Sequence, residues 1–348
     1  MEPFHFLLPG KLAELTGGTC YDRLMVEGLR ARGRGVIVHE LDTSFPFPTR
    51  EALAAADAVL AALPDGALVV VDGLALGAMP YSAARHGGRL RLVALVHHPL
   101  ALETGLSAGR AAMLETSETR ALAHARRVIC TSSSTARLLA DYAVPASRIR
   151  VVEPGTDRAP VATGSAADAP HQLLCVGSVT PRKGHLLLVE ALAGLTHLDW
   201  QLHCAGSLTR DPERATRLME RIEALGLAGR IRLLGELPPA LLAGEYARAD
   251  LFVLASLFEG YGMAFAEALA HGLPVLGTTG GAIADTVPAG AGLLVEPGSV
   301  RGLREALARL LTDADLRRRL AAGAAGAGAR LPDWPTAAAR FAEAIAHV

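Results

Sequence analysis

Two carboxylates eight positions apart, Glu259 and Glu267, straddle the glycine-rich run Gly260-Tyr261-Gly262-Met263-Ala264. The spacing predicts a loop position for the first and a site about one and a half turns into a helix for the second. Gly262, Met263 and Ala264 would then offer unpaired N–H groups with the helix dipole behind them. In that arrangement one carboxylate accepts hydrogen bonds from sugar hydroxyls while the other holds a ribose. The plain alternative is a Glu favouring the helix N-terminus and an exposed Glu in mid-helix.

A second set of residues suits an anion. Gly177-Ser178-Val179-Thr180-Pro181-Arg182-Lys183-Gly184 follows an apolar run, and its adjacent cations fit a diphosphate, Arg as a fork and Lys as a point charge. The spacing is not that of a Walker loop. Near the N-terminus, Pro9-Gly10 and Thr16-Gly17-Gly18-Thr19 precede a helical pattern, where paired glycines let backbone N–H groups approach an anionic ligand. It is not the GxGxxG dinucleotide fingerprint. Asp313-Ala314-Asp315 has the form of a metal-binding D-x-D, but it stands at a helix start, where Asp is a favoured cap. No metal site is expected.

The elements that must position these residues alternate along the whole chain. The first half offers strands at Phe4–Leu8, Val36–His39, Leu68–Val71, Leu92–Val96, Val128–Cys130 and Ile149–Val152. Helical patterns Tyr21–Arg32, Glu51–Leu63, Arg110–Ala125 and Ser134–Tyr142 lie between them. The second half offers strands at Leu173–Val176, Gln201–Cys204, Ile231–Leu234, Leu251–Leu254, Pro274–Leu276 and Leu293–Val295. Its helices are placed at Leu186–Leu195, Pro212–Leu225, Tyr261–His271, Arg301–Leu311, Ala314–Leu320 and Thr336–Ala346. Strands spaced by helices mean βαβ units and parallel sheets. The fold class is therefore α/β, two Rossmann-like doubly wound domains facing across a cleft, with ligands expected beyond the carboxyl ends of the strands. Thr156–Pro170 breaks the rhythm and reads as a linker. The expected division is a domain over 1–158, a linker over 159–170, a second domain over 171–332 and a C-terminal helix over 333–348 that packs back on the first domain. Ala67–Ala84, the most apolar stretch, is broken by Asp72-Gly73, Gly77 and Pro80, and reads as a strand followed by a loop rather than a membrane span.

Composition narrows the class. The 348 residues are 51% hydrophobic and 20% charged, with a net charge of −1, which argues against a nucleic-acid partner. Lys occurs only at Lys11 and Lys183 and Asn is absent, as in a GC-rich bacterial genome. Cys20, Cys130, Cys175 and Cys204 form no CxxC pair, and the opening Met1-Glu2-Pro3 is no basic leader, so a cytoplasmic location is expected. Over Arg110–Arg127 the arginines are offset by Glu115 and Glu118, too balanced for a membrane-docking face.

Taken in order, these segments resemble glycosyltransferase family 4, the retaining nucleotide-sugar transferases of GT-B fold. Glu259 and Glu267 match its E-x(7)-E signature, and Ala249-Asp250-Leu251-Phe252-Val253-Leu254-Ala255-Ser256 matches the lead-in. His271-Gly272-Leu273-Pro274-Val275, Thr279-Gly280-Gly281 and Gly292–Gly298 resemble its later segments. The resemblance implies that Lys183 and Arg182 neutralise the donor diphosphate, Glu267 holds the ribose and Glu259 the transferred sugar. It implies donor contacts at Gly17, Gly18, Ser178, Gly262, Met263 and Ala264, and a catalytic His97 against the sugar, with His98 beside it. Glu103 and His98 are the candidate acceptor ligands. The implied partners are a UDP- or GDP-sugar and a small-molecule or sugar acceptor, with front-face attack and no metal or other cofactor. Three departures stand out: Ser178 where the family commonly has Arg, Glu153-Pro154-Gly155 for an Asn-Gly turn, and Asp285 near the usual Pro-Glu. A catalytically degenerate GT-B binding protein, a GT-B sugar-nucleotide epimerase and a nicotinamide oxidoreductase, which would need the missing GxGxxG fingerprint, are the rival readings.

Overall fold

A computed structural model describes residues 3–14, 16–166, 169–346 and 348. Met1 and Glu2 of the opening, and residues 167 and 168 of the expected linker, lie outside the described residues. The chain forms two compact units, Met1–Gly155 with Pro332–Val348, and Thr156–Leu331.

The first unit is built on six parallel strands: β1 (Phe4–Pro9), β2 (Val36–Leu41), β3 (Leu68–Asp72), β4 (Arg91–Val96), β5 (Arg127–Cys130) and β6 (Ile149–Val151). Their order is β2-β1-β3-β4-β5-β6. Every residue of β3 is buried, which is why its first four, Leu68-Val69-Val70-Val71, read as an unbroken apolar run instead of an alternating one. The order reverses between β1 and β3, the place where such a sheet opens a crevice at its carboxyl edge. The loops after β1, β3 and β4 therefore converge there. Helix Trp334–Ala346 completes this unit against helix Gly17–Ala31, burying Phe341 and Ile345.

The second unit repeats the logic with β7 (His171–Val176), β8 (Trp200–Ala205), β9 (Ile231–Gly235), β10 (Leu251–Val253), β11 (Val275–Thr278) and β12 (Gly292–Val295). Its order, β12-β11-β10-β7-β8-β9, is the doubly wound one, with the reversal between β7 and β10. Leu251 and Phe252 lie opposite Leu173 and Leu174, so the central strands bury both faces among leucines and aromatics.

Several expectations need correction. Helix Gly17–Ala31 begins four residues before the expected Tyr21, because Thr16 caps it by accepting from the Thr19 N–H. The glycine pair is thus the first helical turn. Beyond β3 the chain forms two short helices, Gly73–Leu76 and Pro80–His86, in place of a loop. Asp72 starts the former by accepting from Leu74 N, and Pro80 starts the latter. Pro239–Arg248 is a further unexpected helix. The expected linker is strapped to the second unit, where Ala162 N donates to His271 O, Thr163 N to Ala247 O, and the Arg158 guanidinium caps Gly328 and Ala329. Glu118 is fully buried, so it offsets no surface arginine. Among the described residues no helix is long and apolar enough to cross a membrane.

Candidate active site

In the second unit the loop after β7 carries the two cations. It turns through Gly184, whose φ is +68°; a Cβ there would sit 2.1 Å from the carbonyl oxygen of Ala255, so only glycine fits. Tight apposition to the loop after β10 brings both cations onto Glu259. Lys183 Nζ donates to Oε1 at 2.7 Å, the Arg182 guanidinium to Oε2 at 2.8 Å, and Ser256 Oγ to Oε1 at 2.6 Å. Arg182 also donates to the Phe258 carbonyl at 2.9 Å.

The backbone of Glu259 is held from the Thr279–Gly281 segment: its N–H donates to Gly280 O, and its carbonyl accepts from Ala282 N at 2.8 Å. Burial works to raise the Glu259 pKa, but Lys183 and Arg182 outweigh it and bring the carboxyl to about 2. The cluster is thus one carboxylate and two cations, a net positive charge at the mouth of the sheet.

Next to it, helix Met263–Ala270 starts from Gly262, whose φ of +93° turns the chain into the helix. The N–H groups of Gly262, Met263 and Ala264 have no hydrogen-bond partner among the described residues, which leaves donors for an anion. Glu267 lies on the same helix and accepts from the Tyr246 hydroxyl at 2.9 Å. Burial pushes its carboxyl up against the pull of that hydroxyl. Tyr246 stacks on His271 with ring centroids 4.9 Å apart. Ser178 is half-buried in the cation-bearing loop.

The first unit holds the remaining residues. Gly17 and Gly18 open the helix after the β1 loop, and a Cβ on Gly18 would meet the His97 ring at 3.4 Å. His97 Nε2 lies 3.1 Å from Asp22 Oδ1 and 3.3 Å from Asp72 Oδ2. Its neighbour His98 turns elsewhere, with Nε2 3.3 Å from Glu103 Oε2. The two candidate acceptor ligands therefore face each other. Asp22, Asp72 and His97 are also spaced closely enough to hold a metal ion. Asp313 caps helix Ala314–Gly328 by accepting from Leu316 N at 2.8 Å, and Asp315 pairs with Arg318.

Four residues at these sites have no individual role assigned by the sequence: Ser256, Tyr246, and Asp22 and Asp72, which lie in the Thr16–Asp22 and Asp72–Ser82 segments expected around the acceptor. Ser256 stands three positions before Glu259 in the run that matches the family lead-in, which was a usable signal. Asp22 and Asp72 are fifty positions apart, and Tyr246 precedes its partner by twenty-one, so only the folded chain joins them.

Comparison with known proteins converges on one family. The family model "Glycosyl transferases group 1" matches residues 163–326, and "Glycosyltransferase Family 4" matches residues 23–159. The chain is 32% identical over 222 residues to a D-inositol 3-phosphate glycosyltransferase of Nocardia farcinica, covering 59% of this chain and 49% of that protein. It is 35% identical over 163 residues to the lipopolysaccharide core biosynthesis mannosyltransferase LpsB of Rhizobium meliloti, covering 45% of each. The chain spans about half the length of the curated relatives it matches. Among solved structures, sucrose-phosphate synthase from Thermosynechococcus elongatus superposes with a TM-score of 0.81 at 22% identity, over 98% of each chain. Anabaena HepE in complex with UDP and glucose gives 0.77 at 18% identity over 100% of each. At those identities the structural likeness speaks for the fold. With the two family models lying on the two units, the chain belongs to glycosyltransferase family 4 and has the GT-B fold.

Proposed function

We propose that the protein is a retaining hexosyltransferase that moves a sugar from a UDP- or GDP-sugar to the hydroxyl of a small-molecule or sugar acceptor. The observation that carries this reading is the Glu259–Arg182–Lys183 cluster beside the unpaired N–H groups of Gly262, Met263 and Ala264. A diphosphate is the ligand that such a site suits: fixed cations and helix N-terminal amides stabilise the charge that develops on it as the glycosidic bond breaks. Family membership and the UDP and glucose of the HepE complex support a nucleotide-sugar donor.

In this reading the donor diphosphate draws Arg182 and Lys183 toward its oxygens. Glu259 is left to accept hydrogen bonds from the sugar, and Glu267 holds the ribose. Attack comes from the face the diphosphate leaves, and the departing phosphate oxygen takes the acceptor proton. No protein nucleophile is required, so the protein contributes position and electrostatic stabilisation. The cations and amides do the neutralising, and turnover is expected to survive EDTA.

Titration calorimetry with UDP, GDP, ADP and NAD, each with and without EDTA, tests the donor site. One sugar-nucleotide base binds, with or without the chelator, and Lys183→Ala and Glu259→Ala each abolish transfer in folded protein. Full turnover in either variant, or binding of NAD alone, would end the proposal.

A further inference from the structure

The cluster at the crevice of the first unit contains more than a histidine. His97 follows β4; Asp22 comes from helix Gly17–Ala31, and Asp72 ends β3. Both carboxylates are almost completely buried, at 1% and 3% exposure, whereas the His97 side chain keeps 17%. Each group is fixed by something else as well. Asp72 Oδ1 accepts from Leu74 N at 2.6 Å, so only its other oxygen is turned to the histidine. The His97 carbonyl accepts from the hydroxyls of Thr131 and Thr135, and the ring meets Tyr21 edge-on with centroids 5.4 Å apart. Nε2 therefore faces two carboxylates at once. Nδ1 has no hydrogen-bond partner among the described residues and is not one of the fully buried polar atoms.

We propose that Asp22 and Asp72 are positioning residues that grip His97 through Nε2, so that the ring presents Nδ1–H as a cationic donor to a substrate oxygen. A single neutral imidazole has one N–H. Spending it on the carboxylates would leave Nδ1 an acceptor, while the imidazolium donates at both ends. Two buried carboxylates beside one ring favour the second state. The electrostatics agree: burial opposes the charge on His97, but Asp22 and Asp72 outweigh it and raise the ring to about 10. The same crowding raises Asp22 to about 7, burial first and Asp72 adding to it, with His97 opposing. Tyr21, also pushed up by burial and by Asp22, stays neutral and donates its hydroxyl to Val152 O.

The inference deepens the transferase reading by giving His97 a protonation state and an orientation, and its test stands apart from turnover. Side-chain nitrogen NMR of the full chain labelled at histidine follows the His97 ring, assigned by its loss in His97→Gln. In the wild-type protein both ring nitrogens carry protons from pH 6 to pH 8.5. Asp22→Asn and Asp72→Asn each bring the ring back toward ordinary histidine titration, near pH 6.5, and lower kcat on the order of a hundredfold. A wild-type His97 that titrates near 6.5, or one unmoved by both substitutions, overturns the clamp. So does purification with one divalent ion per chain whose removal by EDTA shifts the His97 resonances, since the ion would then hold the place of the proton. Failure of the wild-type protein to transfer any sugar counts against the transferase reading and leaves the NMR result to decide the clamp.

Discussion

Glu259 is an acid whose ionisation is tied to folding. Burial raises its pKa, and the two cations more than reverse this, to about 2, below the roughly 4.3 of an unfolded Glu. A folded pKa below the unfolded one means stability that is complete above about pH 5 and lost as pH falls toward 2. The difference corresponds to on the order of 3 kcal/mol at neutral pH. Glu259→Gln is therefore expected to destabilise the protein by about that much at pH 7 and by half or less at pH 3. Urea unfolding at the two pH values measures it; an equal loss at both would mean that the ion pairs contribute nothing specific. The E-x(7)-E spacing made both glutamates legible in the sequence. It did not show that Arg182 and Lys183 pair with Glu259 itself, because loop-to-loop apposition depends on the Ala255 carbonyl lying against Gly184.

At the level of helices and strands, Asp313 separates two meanings of one tripeptide. As a metal ligand it would be needed for turnover; as the N-cap of helix Ala314–Gly328 it is needed for that helix alone. Asp313→Ala is expected to cost about 1 kcal/mol in chemical unfolding and to leave sugar transfer unchanged with or without EDTA. Lost transfer, or transfer newly sensitive to the chelator, would return the D-x-D to the active site. The capping reading was available from residue order, as were all twelve expected strands: the central ones because a strand buried on both faces is a run such as Leu68-Val69-Val70-Val71 that little else explains, the outer ones, such as the half-exposed Ile149–Val151, as short apolar runs between helical patterns. The missed elements are helices too short or too ambiguous for periodicity to reveal. Gly73–Leu76 is a single turn, Pro80–His86 not quite two, and Pro239–Arg248 is heralded only by a proline pair. Their existence follows from tertiary contacts: Pro80–His86 packs on helix Ala108–Leu122, and Tyr246 reaches Glu267.

At the scale of the whole chain, the backbone leaves the first unit after Gly155 and returns to it at Pro332, so the final helix completes a core begun more than 300 residues earlier. Gly155 marks that return: a Cβ there would lie 2.4 Å from the backbone of Trp334, within the same unit. The proposed donor groups are nevertheless unevenly divided. Arg182, Lys183, Glu259, Glu267 and the amides of 262–264 all belong to Thr156–Leu331, whereas Gly17, Gly18 and His97 belong to the other unit. Nucleotide alone should therefore act mainly on the second unit. At a hundred times its Kd it would stabilise the folded state by about 2.7 kcal/mol through mass action. Hydrogen exchange in the presence of UDP or GDP is expected to show protection concentrated in residues 177–184 and 259–267, with a smaller effect at 16–19. The second unit can bind a diphosphate through the two cations assembled around its one carboxylate Glu259, whereas in residues 97–103 the His97 ring already faces the two carboxylates Asp22 and Asp72. Protection confined to 97–103 would mean that the nucleotide enters through the first unit, and the assignment of Arg182 and Lys183 to the donor would fall with it.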